Sequence, residues 1–105
     1  MDTKTKARYD ARAKILKAMA HPSRLFIIDQ LAEGERCVCD LTEMIGADKS
    51  TVSKHLSVLK SAGLVRDEKR GLQVFYTLQV PCAKSLFSCI EGVVKTNAEA
   101  HLAAV

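Results

Sequence analysis

The stretch TEMIGADKSTVSKHLSVLKSAGLV, residues 42–65, constrains this chain more than any other. Ahead of it, Leu41, Met44 and Ile45 give the inner face of a short helix over 39–46, and Gly46 is placed to end that helix as a left-handed cap. A second helix follows the polar entry Asp48-Lys49-Ser50. Its Val52, Leu56 and Leu59 recur at spacings of four and three, so one side is core. Gly63 terminates it. Two amphipathic helices separated only by Gly46-Ala47-Asp48 form a helix-turn-helix.

The flanking segments complete the architecture. Residues 4–20 read as a helix with Ala11, Ile15, Ala18 and Met19 at helical spacing. His21-Pro22-Ser23 interrupts it; His21 reads as a turn or cap residue, and Pro22 suits a first helical position because it has no N–H to orphan there. A helix over 22–33 carries Leu25, Ile28, Leu31 and Ala32 on one face and stops at Gly34. LVRDE and QVFYTL read as strands. In the second, Val74, Tyr76 and Leu78 alternate with Gln73, Phe75 and Thr77. Between them Lys69-Arg70-Gly71 makes a basic hairpin tip, with Gly71 free to take a positive φ. Pro81 ends the second strand, and residues 81–103 form a last helix with the stripe Leu86, Ile90, Val93 and Val94. The order α-α-α-α-β-β-α is mainly α with a β-hairpin wing, a winged helix-turn-helix. At 105 residues this is one domain, 1–105, with a thin core, and small domains of this kind often gain stability by associating.

The outer face of the second motif helix shows Ser50, Thr51, Ser53, Lys54 and Ser57. Short side chains let a backbone approach base edges in the major groove, and hydroxyls pair with several of those edges. His55 lies at the margin, either touching DNA or closing the core side. Lys69 and Arg70 at the wing tip suit phosphate or the minor groove. The net charge of +4 favours a polyanionic partner. The sequence shows no nucleophile–base pairing, phosphate loop or paired acids, so an enzyme is not expected. Nor is there an apolar run of about 18 residues that would span a membrane, or an apolar segment in the charged N-terminus that would act as a secretory signal. The expected location is the cytoplasm, where four cysteines are thiols rather than a disulfide framework.

Those cysteines are Cys37 and Cys39 in ERCVCDL, and Cys82 and Cys89 in PCAKSLFSC. Thiolates are soft donors and suit arsenite, antimonite, cadmium, lead or zinc better than magnesium or calcium. Residues i and i+2 of a regular helix point about 200° apart. Cys37 and Cys39 therefore share one ion only if the chain at Cys37 is not helical. Cys82 and Cys89 lie on nearly the same helical face but roughly 10 Å apart along the axis, too far to share one ion in an intact helix.

The stretches MAHPSRLFIIDQL, ERCVCDLTEMIGADKSTVSKHLSVLKSAGLV and KRGLQVFYTL resemble the ArsR/SmtB family of winged-helix metal-responsive repressors over roughly residues 15–79. The resemblance implies a homodimer joined through the first and last helices. It implies recognition helices that read a palindromic operator, with half-sites roughly 34–36 Å apart. Ser50, Ser53 and Lys54 fall where family members contact DNA, with Thr51 and His55 close by. Repression in the ligand-free state and release by an inducer are implied as well, with arsenite or antimonite favoured by the Cys-Val-Cys segment. Arsenite-responsive members of the best-known type add a third cysteine where this chain has Thr42, so a third ligand has to come from elsewhere. In one arrangement a last-helix cysteine joins Cys37 and Cys39; in the other, Cys82 and Cys89 form the sensor. The last-helix zinc site of other members is not expected, because Val80 and Pro81 replace its opening and His101 stands alone. A cadmium, lead or zinc sensor would prefer four donors. A thiol redox or persulfide sensor needs cysteine Cα atoms within about 7 Å, which Cys37 and Cys39 meet only awkwardly and Cys82 and Cys89 not without unwinding.

Overall fold

The computed structural model describes residues 1–104. Helix α1 (Thr3–Met19) starts at Asp2, whose carboxylate accepts the Thr5 N–H at 2.7 Å. Helix α2 (Pro22–Glu33) follows with Pro22 in its first turn and His21 as its cap, Nδ1 accepting the Ser23 N–H at 3.1 Å. A two-residue strand β1 (Arg36–Cys37) leads into α3 (Val38–Ile45). Gly46, at φ +77°, ends α3 in the left-handed region, its N–H donating to the Thr42 carbonyl at 3.0 Å. Helix α4 (Lys49–Ser61) is capped by Asp48, which accepts the Thr51 N–H at 3.3 Å. Strands β2 (Val65–Arg70) and β3 (Gln73–Leu78) close through Gly71-Leu72, with Gly71 at φ +62°. Helix α5 (Ala83–Ala104) ends the described chain. The winged helix-turn-helix fold is therefore present.

The strand β1 is an addition to the expected order. The sheet runs β1-β3-β2, all antiparallel, with Arg36 opposite Tyr76 and Cys37 opposite Phe75. Ile27, Ile28 and Leu31 of α2, Leu41 of α3, and Val52, Leu56 and Leu59 of α4 form the centre of the core. Leu64, Val65 and Tyr76 close it from the wing, and Ala83 from the start of α5. This packing fixes α3 and α4 on one platform.

Some residues expected on inner faces are not covered. Ile15, Leu25 and Met44 are 36%, 36% and 44% exposed. Only the last turn of α1, Ala18 and Met19, reaches the core, so Ile15 projects with the rest of that helix. Leu25 faces Phe87 and Ile90 across a shallow gap to α5, and Met44 sits at an outer seam beside Phe26. The α5 stripe Leu86, Ile90, Val93 and Val94 is also exposed, as are Tyr9 and Leu16 of α1. Among the described residues no helix is long and apolar enough to cross a membrane.

Candidate functional site

The sulfur site is built by the switch from strand to helix. Cys37 pairs with Phe75 in the sheet and takes an extended conformation (φ −81°, ψ 159°), so it caps α3 rather than continuing it. Its Sγ accepts the Asp40 N–H at 3.3 Å. Cys39 lies inside the first turn of α3. Because Cys37 is outside the helix, the roughly 200° separation of a regular i, i+2 pair does not apply. The Cα atoms stand 5.4 Å apart and the two sulfurs are joined as a disulfide. Two expectations are corrected here. These two cysteines are bonded rather than free, and their spacing meets the geometry of a disulfide readily.

Cys37 is buried and Cys39 exposed. A carboxylate oxygen of Asp40 lies within 4.8 Å of both sulfurs, giving three donors in one place. Sequence reasoning passed over Asp40. The signal was present as an acid in the first turn of a helix whose N-terminus attracts negative charge. Thr42, where arsenite-responsive relatives place a third cysteine, turns its hydroxyl back to donate to the Val38 carbonyl at 2.8 Å. Cys82 and Cys89 are free and exposed. Within one protomer neither joins the group of Cys37, Cys39 and Asp40. Cys82 precedes α5, its carbonyl accepting the Ser85 and Leu86 N–H groups.

A cavity of about 250 Å³ opens beside the sulfurs. Its walls include Cys37 and Cys39, Lys49 and Ser53 of α4, and Asp67 and Tyr76 of the wing. Lys60 of α4 pairs with Asp67 of β2 at 3.0 Å, tying helix to wing. Burial raises the Tyr76 phenol, and the charge of Asp67 adds to that rise. A ligand held by the sulfurs thus lies against the first turns of α4.

The outer face of α4 is as expected at Ser50, Thr51, Lys54 and Ser57, all exposed, while Ser53 is half-buried at the cavity rim. The Ser50 hydroxyl donates to Asp48 at 2.9 Å, and the hydrogen bonds from Thr51 and Ser50 hold the Asp48 carboxyl below its usual range. His55 turns toward α2, its ring centroid 4.3 Å from that of His21. Burial, then the charges of His21 and Arg24, lower its pKa. It thus covers the core side of α4. Lys69 is exposed at the wing tip. Arg70 is engaged: its guanidinium donates to both Glu35 oxygens at 2.6 and 2.7 Å and to Glu68 at 2.9 Å. It also lies 4.7 Å over the Phe75 ring, and these acids raise its pKa further. Reaching phosphate requires Arg70 to leave Glu35 and Glu68.

The family profile described as bacterial regulatory protein, arsR family, matches residues 21–67. The HTH-type transcriptional repressor SmtB of Mycobacterium tuberculosis is 42% identical over 69 residues, 66% of this chain and 51% of that protein. The chain thus spans about half the length of that curated relative. The biofilm growth-associated repressor of Xylella fastidiosa is 36% identical over 85 residues, 81% of this chain and 75% of that protein. A solution structure of a homodimeric winged helix-turn-helix DNA-binding domain from Mycobacterium bovis superposes with a TM-score of 0.78 at 33% identity, covering 96% of this chain and 94% of that one.

Proposed function

Since this chain belongs to the arsR family of bacterial regulatory proteins, we propose that it is a homodimeric transcriptional repressor whose hold on a palindromic DNA operator is broken by a thiophilic ligand at Cys37 and Cys39. Arsenite or antimonite is the inducer this site suits best. The observation that carries the reading is the meeting of the Cys37 and Cys39 sulfurs on a cavity that also touches Lys49 and Ser53 of α4. The two relatives named above are repressors, and the solved domain is a homodimeric DNA binder. The exposed apolar faces of α1 and α5 supply a surface for a second copy.

The disulfide first has to open. A low-molecular-weight thiol supplies the two electrons and is itself oxidised to its disulfide. Each As–S bond then forms as a cysteine thiol displaces one hydroxyl of arsenous acid, releasing one water. Two such bonds leave one coordination position, which the Asp40 carboxylate or a retained hydroxyl fills. Cadmium, lead and zinc are poorer fits, since they prefer four donors and the site offers three.

Ligation reaches DNA by two routes. Drawing Cys37 to the ligand loosens the cap it gives to the Asp40 N–H and shifts the first turn of α3, which packs through Leu41 on the core shared with α4. It also moves the segment bearing Glu35, which grips Arg70 of the wing. Couplings of about 1–3 kcal/mol are typical of such allostery.

The disulfide itself favours a second reading, a redox sensor. There, peroxide takes two electrons from Cys37 and Cys39, the disulfide forms, and the two thiol protons leave in two waters.

One experiment separates these readings. The reduced protein is bound to a duplex selected from random sequence for tight binding, then titrated in parallel with arsenite, antimonite, cadmium, lead, zinc and hydrogen peroxide. Release by arsenite or antimonite ahead of the others supports the first reading. Release by peroxide alone favours the second. No release by arsenite or antimonite at concentrations that leave the protein folded overturns the first.

A further inference from the structure

The largest cavity in the described structure lies away from the sulfurs, in a cleft of about 460 Å³ between α1, α2 and α4. Lys14 and Lys17 of α1, Arg24 of α2, and Ser57 and Ser61 of α4 supply its polar lining. No carboxylate lines it. Among the described residues, none of its three cations forms an ion pair, although Lys6, Arg36, Lys60 and Arg70 all do. The Arg24 Nε is buried and has no hydrogen-bond partner. Leaving such a donor unmet costs about 1–3 kcal/mol, and more for a charged group. Three positive charges, two hydroxyls and an unmet guanidinium nitrogen call for an anion with several oxygens.

We propose that this cleft is a second DNA contact, seating a backbone phosphate at the edge of the groove that α4 enters. The proposal rests on the DNA-binding reading given above. The choice of DNA over a free anion comes from position. Ser57 and Ser61 continue a single stripe of α4 that begins at Ser50 and Lys54, with spacings of four, three and four. The stripe is about 17 Å long, so the cleft is the far end of the same surface that reads bases. A recognition helix in the major groove lies between two phosphate strands, and neighbouring helices of such motifs cross the backbone. The cleft also stays open in a dimer. By the turn of about 100° per residue, Tyr9 and Leu16, the exposed apolar residues of α1, lie roughly opposite the face of Lys14, Lys17 and Ala18. Phosphate contacts fix position without reading sequence, so the cleft adds affinity and salt dependence rather than specificity.

The test is the salt dependence of binding to a mixed-sequence DNA duplex, followed by fluorescence anisotropy. Each phosphate contact contributes about 0.9 to the slope of log affinity against log salt. The Lys14→Gln/Lys17→Gln variant, altered at two exposed positions, lowers that slope by about 3.6 for two lysines in each of two protomers. Lys14→Arg/Lys17→Arg keeps it. Lys84→Gln/Lys95→Gln, which removes equal charge from α5, serves as the reference, and thermal melting by circular dichroism checks that each variant is folded. An unchanged slope for the α1 variant, or an equal fall in the α5 reference, overturns the proposal. So does saturable binding of inorganic phosphate or adenosine monophosphate that the α1 variant loses while its DNA slope stays intact, because the cleft is then a small-anion pocket. Failure of the wild-type protein to bind any duplex overturns the DNA-binding reading itself.

Discussion

Two pairs of cysteines stand in this chain under opposite conditions. Cys37 and Cys39 begin a helix and look divergent in sequence. Cys82 and Cys89 share a helical face and look aligned. The structure brings the first pair into contact and leaves the second pair free and exposed. The difference lies in the backbone on either side of each pair. Pairing of Cys37 with Phe75 holds it in a strand, so the sulfur that would point away along a helix instead meets its neighbour. Cys89 sits well inside α5, where an intact helix fixes the spacing. A sensor pair is therefore made by a break in regular structure rather than by helical periodicity.

The largest effect bearing on this contrast comes from the platform under the first pair. Leu41 is fully buried below α3. Leu41→Ala is expected to lose about 2–5 kcal/mol in urea denaturation. Val93→Ala, on the exposed stripe of α5, is expected to lose little stability within the protomer and to weaken dimerisation, read by analytical ultracentrifugation at falling concentration. Next comes Asp40, the third donor that the α5 pair lacks. Asp40→Asn is expected to weaken cadmium binding to the reduced protein about tenfold, measured by thiolate charge-transfer absorbance. An unchanged affinity would remove Asp40 from the site. A smaller effect is expected at Glu35, two residues before Cys37. Glu35→Gln releases Arg70 from its bidentate partner, so DNA binding should tighten severalfold at low salt and its salt slope steepen by about 0.9 per protomer. The smallest effect is one of pH. The folded state takes up a proton at His55 less readily than the unfolded chain, whose imidazole titrates near 6.5. Above that pH both states are neutral and His55 contributes nothing. As pH falls below it the unfolded state protonates first, so the urea midpoint should step down, and His55→Gln should flatten the step.

Much of the fold was legible because its signals are local. Gly46 and Gly63 mark the ends of the two motif helices, Pro22 and His21 mark the start of α2, and Val52, Leu56 and Leu59 state which side of α4 is core. What escaped reading depends on long-range contacts. The strand β1 exists only because β3 lies beside it, and the capture of Arg70 by Glu35 joins residues 35 positions apart. The same limit applies to the site. Soft donors at Cys37 and Cys39 could be read directly, but the closeness of their sulfurs followed from a strand with no pattern of its own. The exposed stripes of α1 and α5 look like core in sequence because the hydrophobic period does not say which chain will cover them.

The central claim is that the Cys37–Cys39 pair, and not the α5 pair, controls the grip on DNA. Its most direct test is arsenite-driven release from a selected duplex, measured for the reduced wild type, Cys37→Ser/Cys39→Ser and Cys82→Ser/Cys89→Ser. The account predicts that the α5 variant releases at the wild-type arsenite concentration to within about twofold, while the Cys37/Cys39 variant stays bound across a range about 100-fold higher, near the upper end of typical allosteric coupling. Normal release by the Cys37/Cys39 variant, with loss of response in the α5 variant, would contradict it.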